Sequence, residues 1–337
     1  MPLPINISAS RGAAILGLSQ YQTPVSVWLN IMESRQPGFC AEHNYELPVF
    51  DDSAALRWGR SFEYAVTELA EMKQNNKIIN REKLSHANLE YITCHQDGQY
   101  EQGERDPWEK ILHEGKTTSA FYFRDHFGEP GTDQVPMEYQ IQCQHQMICT
   151  GAEEVILSVL IFPRRVEELE EIGWEVWQDT NKNFMLRNNI SNDVALTVDW
   201  AVILNQLGYF HQFHIHALPE LQNLMLIHYR DFWENHVLTG IPPEPKTYDD
   251  IKALCPVAAG TIIGDEEIER FAAEYKNITS EIGTSGPLYK RKEQIRVEIL
   301  KRMRNADKTM DEDSEKKWVL RSRDGKKLFQ YDGKVFR

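Results

Sequence analysis

An α/β fold, with a small mixed sheet flanked by helices, is what this sequence of 337 residues predicts, and three observations predict it. Two helical patterns, from Ser53 to about Asn75 and from Pro136 to Gly151, bracket the stretch HQDGQYEQGERDPWEKILHEGKTT, His95 to Thr118. That stretch reads as two extended arms about a turn marked by Gly103 to Pro107. The run AEEVILSVLIF follows, so nearly continuous in apolar character that it fits a central strand buried on both faces. The order helix, strands, helix, strand belongs to an α/β core.

Taken in order, Ser8 or Ser10 is placed to cap the run from Arg11 to Leu16, which Gly17 would end. A serine and an arginine at a helix start serve either as ordinary capping or as a phosphate seat. Thr23-Pro24 opens a helix carrying Val27, Trp28 and Ile31. From Ser53, the residues Leu56, Phe62, Val66, Leu69 and Met72 recur at helical intervals. Glu63 falls on one face with Gly59, Val66 and Ala70, so a buried carboxylate is expected there. Such a group needs a partner: Arg60, a metal, or the ammonium of Lys116.

In VPMEYQIQCQHQMICTG, Tyr139, Gln142 and Gln146 share one face, suited to holding substrate or water, or to plain solvent exposure. Residues 163–210, rich in Trp, Asn and Asp, read as an insertion with short elements of its own. A strand, HQFHIH, and a long helix ending in a Pro-rich stop come next. His211, His214 and His216 alternate along that strand, but no second cluster completes a zinc set.

Asp265 to about Ala306 predicts two helices broken at Gly283 to Pro287. The second carries Lys290, Arg291, Lys292, Arg296, Lys301, Arg302 and Arg304, a face for phosphates or for solvent. The last residues alternate like strands, with Asp-Gly turns at Asp324 and Asp332. The expected division is a core at 1–162, the insertion at 163–210, a completing strand and helix at 211–260, and a basic helical hairpin with a terminal β-hairpin at 261–337.

Composition narrows the function classes. A hydrophobic content of 41% with eight tryptophans supports a buried core. No apolar run is long enough to span a bilayer, and MPLPINIS lacks a signal pattern, so a soluble, cytoplasmic protein without a membrane partner is expected. The five cysteines are scattered without a CxxC, which points to reduced thiols rather than a disulfide frame or zinc knuckle. The net charge of −14 is uneven: Gly286 to Arg337 holds 16 Lys and Arg against 9 Asp and Glu. A basic arm or channel wall on an acidic body fits that asymmetry.

The hairpin stretch carries the chemistry. Alternation along its second arm puts Lys110, Leu112, Glu114 and Lys116 on one face and Ile111, His113 and Gly115 on the other. Pairing of the arms brings Asp97 beside Glu114 and Lys116. Two carboxylates and a lysine on a sheet edge form a hard-oxygen site for Mg²⁺ or, equally, an amphipathic surface strand.

Four segments in order, SASRGAAILGLSQYQTP, WGRSFE, the QDG and HEGK pair, and YQIQCQHQM before TG, resemble the YqaJ-like phage exonuclease and recombinase family, to which lambda-type exonucleases belong. The resemblance covers roughly residues 8–162 and, more loosely, 211–337. It implies a PD-(D/E)xK nuclease core. It further implies that Asp97, Glu114, the Gly115 carbonyl and Glu63 hold Mg²⁺, with Mn²⁺ as a substitute. Lys116 would orient or activate the attacking water, Gln142 would sit near the reacting phosphate beside Tyr139, and Ser10 would seat a 5′-phosphate with help from Arg11.

The implied activity is digestion of linear double-stranded DNA, 5′ to 3′, leaving 3′ single strands for an annealing protein in phage-type recombination within a bacterial host. The implied assembly is a homotrimeric ring. An endonuclease or nickase on the same core, and a non-catalytic DNA-binding scaffold, are the rival readings. Several departures stand out. Gln96 replaces the usual Pro before the motif Asp, Ala87 stands where a further Asp is expected with His86 or Glu90 nearby, and Leu3 replaces an arginine.

Overall fold

The computed structural model describes residues 6–48, 52–101, 110–256, 259–281, 286–310 and 314–336, so the turn expected at Gly103 to Pro107, Leu3 and the break at Gly283 lie outside the described residues. The chain divides into two units, one of residues 6–18 and 50–229 and one of residues 1–5, 19–49 and 230–337.

The first unit is built on a five-stranded mixed sheet. Its members are β2 (Ile78–Ile79), β5 (Gly98–Tyr100), β6 (Ile111–Ser119), β7 (Glu154–Phe162) and β8 (Phe210–His216), in the order β8-β7-β6-β5-β2. β6 and β7 are parallel, with Glu114 opposite Leu157 and Lys116 opposite Val159, while the other neighbours are antiparallel. β7 lies between two strands and is buried from Val155 to Phe162, which explains its unbroken apolar run. A smaller sheet joins β1 (Ile7–Ser8), β4 (Ile92–His95) and β3 (Lys83–Ser85), with β1 parallel to β4.

Helices cover both faces of this sheet. α1 (Ala54–Gln74) starts where the Ser53 hydroxyl accepts the Leu56 N–H, and ends at Asn75 in a left-handed conformation. It buries Trp58, Phe62, Ala65, Val66, Leu69 and Ala70 against Ile156, Leu160 and Phe162. Leu56 and Met72, expected on that stripe, are 40% and 64% exposed because they fall off the buried arc. Residues of the 163–210 stretch, Val166, Leu169, Leu186, Ala201 and Leu204, join the same cluster. That stretch forms a helix Val166–Glu171, a three-stranded antiparallel sheet and a helix Thr197–Gln206.

β6 passes directly into α2 (Ala120–His126), capped by Ser119. α3 (Met137–Thr150) follows and stops at Gly151, whose φ of 71° suits glycine. Cys143 and Met147 of α3 pack against Leu112, Leu157 and Phe213 on the sheet face away from α1.

In the second unit the helix Pro24–Arg35 opens with a reciprocal pair of bonds between Thr23 and Ser26 and a proline in its first turn. Helices Glu266–Glu281 and Pro287–Asn305 pack together beside a three-stranded sheet. The terminal hairpin, Trp318–Arg321 with Lys327–Tyr331, is extended by Gly260–Ile263 running parallel to its first strand, a partner the sequence did not suggest. Much of the charge on the basic helix is held inside this unit. Arg291 pairs with Glu274, Arg296 with Glu293, Lys301 with Glu244, and Arg302 with Glu267 and Asp265.

Candidate active site

β5 and β6 place the motif residues. Gly98 lies opposite His113, and one further step along the same register brings Asp97 opposite Glu114. The ladder stops there, and the Asp97 carboxylate replaces it: Oδ2 accepts the Gly115 N–H at 2.9 Å. A strand residue sends its N–H and C=O toward the same edge, so the Gly115 carbonyl faces the edge where Asp97 lies. Glycine at 115 also suits the crowding, since a Cβ would stand 3.1 Å from Val66 Cγ1 and 3.6 Å from Asp97 Oδ2.

Glu114 is only 2% exposed, yet both of its oxygens are satisfied. Lys116 Nζ and Gln142 Nε2 donate to Oε1, and Gln146 Nε2 donates to Oε2 at 2.6 Å. Gln142 and Gln146 are one turn apart on α3, so both amides reach the same carboxylate. The Tyr139 ring, a turn earlier, lies 5.6 Å from Lys116 Nζ.

The electrostatics are those of crowded carboxylates. Burial, and then the neighbouring Asp97, push the Glu114 carboxyl above its usual range. Asp97 is raised mainly by burial and further by Glu63, against the pull of Lys116 and the Gly115 N–H. Burial by itself would lower the Lys116 ammonium, but Glu114 and Asp97 outweigh it and hold the lysine protonated. His113, fully buried on the opposite face, is driven by burial down to about 3 and stays neutral.

Several other residues differ from expectation in burial or in partners. Glu63 is exposed, not buried, because its position on α1 falls outside the arc covered by the sheet, and Arg60 pairs with Asp52 instead. Its charge still reaches Asp97 from the rim. Ser8 makes no capping bond; its hydroxyl meets Ser10 Oγ at 3.2 Å and accepts from Arg11 Nη1 at 3.4 Å. Arg11 is turned onto its own segment, with a second bond to the Asn6 carbonyl. Ser10 is exposed just beyond β1, whose partner β4 runs parallel and leads into Gln96 and Asp97. The His86 ring nitrogen Nδ1 accepts the N–H groups of Asn88 and Leu89, and so serves a turn. His214 bonds Glu154 at 2.6 Å.

A divalent cation fits this donor set. Two carboxylates facing each other with one ammonium leave a net negative charge when ionised, and both carboxyls are raised by burial first and by a neighbouring carboxylate second. Among the described residues no three His, Cys, Asp or Glu side chains converge, so Asp97, Glu114 and the Gly115 carbonyl would be the protein's share. That is a small share of the kind Mg²⁺ accepts, because it keeps several waters.

Gln146 shares the sequence-predicted face with Tyr139 and Gln142, but its role as a second amide donor to Glu114 is visible only in the structure. Gln146→Leu removes the donor to Glu114 Oε2 and also an amide oxygen, Oε1, that has no partner in the buried site. These effects oppose each other, so stability should change by no more than about 1 kcal/mol. Cleavage should fall about 10-fold, as is usual when a ligand's supporting bond is lost. A thermal melt beside a DNA digestion assay checks both.

Comparison with known proteins gives the following. Residues 5–153 match the model of the YqaJ-like viral recombinase domain. An alkaline exonuclease from Laribacter hongkongensis is 13% identical, with 71% of this chain and 90% of that one covered and a TM-score of 0.44. A phage related exonuclease from Haemophilus somnus 129PT is 12% identical, covering 71% and 97%, with a TM-score of 0.39. No curated protein matches the chain.

Proposed function

With residues 5–153 matching the YqaJ-like viral recombinase domain model, we propose that this protein is a divalent-metal-dependent DNA exonuclease acting at linear duplex ends. The single observation that carries the reading is the meeting of Asp97, Glu114 and Lys116 at the point where β5 leaves β6. Asp97, Glu114 and the Gly115 carbonyl would hold Mg²⁺, or Mn²⁺ in its place. A cation held there would supply polarisation of the scissile phosphate and offset the charge developing on it.

The protein's own groups do the rest. Gln142 and Gln146 fix the Glu114 carboxylate, so its oxygens keep one orientation. Lys116, bonded to Glu114 beside the Tyr139 ring, would orient or activate the attacking water and balance charge at the phosphate. Tyr139 walls the lysine, and Glu63 adds negative charge at the rim. Ser10, which is exposed, would seat a 5′-phosphate end, and Arg11 would help only by leaving its bonds to Asn6 and Ser8. On this reading digestion runs 5′ to 3′ and leaves 3′ single strands for an annealing protein, with a trimeric ring as the assembly.

Incubation with 5′-phosphorylated linear duplex and with a covalently closed circle, in Mg²⁺ or EDTA, tests it. Loss of the linear DNA alone, only in Mg²⁺, is expected. Cutting of the circle would make it an endonuclease, and binding without cleavage would make it a scaffold.

A further inference from the structure

Arg81 lies opposite the motif aspartate. On one side of a short interruption Ile79 faces Gln99, and on the other Lys83 faces His95. These pairs belong to one antiparallel register, so 80–82 fill the gap against 96–98 one for one, and Arg81 comes opposite Asp97. Asn80 takes a left-handed turn, φ 56°, and its carbonyl accepts the side-chain amide of Gln96. Gln96 is 2% exposed and stands immediately before Asp97, so one buried side chain ties the Arg81 turn to the site. A proline at 96 could not make that bond.

The arginine is exposed, and among the described residues no hydrogen bond or ion pair engages its guanidinium. Its charge is nevertheless felt at both Asp97 and His113. Nearby Glu71 is committed to Lys77 and to the Ile78 N–H. With a cation held by Asp97, a guanidinium across from it is repelled unless an anion lies between them. A fork of N–H donors matches a phosphate.

We infer that Arg81 is a phosphate-contacting residue for the DNA strand at this site, presented there by the Gln96 amide. The inference rests on the nuclease reading above. Its test is equilibrium binding of a 5′-phosphorylated duplex in Ca²⁺ over a range of salt, beside Mg²⁺ cleavage kinetics. Arg81→Ala should weaken binding and lower kcat/KM about 10-fold or more through KM. The slope of log affinity against log salt should flatten by about 1, the value of one lost phosphate contact. Arg81→Lys should restore the slope. Gln96→Met, similar in volume, should weaken binding part of the way, and combined with Arg81→Ala should add nothing.

An unchanged slope and affinity in Arg81→Ala would overturn the inference while leaving the nuclease standing. Additive effects of the two substitutions would overturn the tether. A wild-type protein that neither binds nor cuts would overturn both this inference and the reading beneath it.

Discussion

Lys116→Ala is expected to cut duplex DNA on the order of 10³-fold more slowly than the wild type, with binding in Ca²⁺ nearly intact. The ammonium bonds Glu114 and feels the charge of Asp97, so it stands within the site before any substrate arrives. Removing it leaves Glu114 Oε1 with the Gln142 amide as its remaining partner in this cluster, and leaves the two carboxylates without their balancing charge. The fold should survive, because the lysine side chain caps the site rather than filling the core. Single-turnover kinetics separates the loss of chemistry from any loss of binding. A drop confined to KM would show that Lys116 binds DNA and takes no part in the reaction.

Asp97→Asn is expected to abolish cleavage to a similar degree and, in metal-free protein, to raise the melting temperature. Asparagine keeps an oxygen to accept the Gly115 N–H but carries no charge, so the repulsion felt by Glu114 is relieved. A carboxyl raised in the folded state costs stability once the pH exceeds its unfolded value, and the cost is complete above the folded value. Metal-free wild type should therefore lose stability as the pH climbs from the carboxylate range through the raised values of Asp97 and Glu114. The variant should lose less. A difference on the order of 1 kcal/mol above that window corresponds to about 2–4 °C. Mg²⁺ should raise the melting point of the wild type and not of the variant. A variant that melts lower than wild type without metal would contradict the account of the crowded carboxylates.

The architecture was legible wherever burial imposes a period. The unbroken apolar run of β7, the stop at Gly151 and the alternation around Glu114 are all consequences of what a strand or helix must hide. The nearness of Asp97 to Glu114 could be anticipated because two paired arms allow few registers. Glu63 was misjudged, since a helical wheel gives neighbours but does not say where the covered arc ends. Ser8 was misjudged because the local network with Ser10 and Arg11 competes with capping. Arg81 was not legible at all. Its place depends on a left-handed Asn80 and on pairing across a break, neither of which leaves a periodic trace.

The alignment of positions 81, 97 and 114 across three neighbouring runs of chain has a bearing on how such proteins tolerate changes of length. One residue added between Ile79 and Lys83 would shift Arg81 out of line and reverse its face, as would one added between His95 and Gly98 for Asp97. The connection 86–91 lies outside that line and closes on itself through His86 and Leu89. Chains that share this centre should therefore differ in length at 86–91 and keep the spacing from 79 to 83 and from 95 to 98. Spacing, more than residue identity, is then the feature by which distant versions of this site would be found.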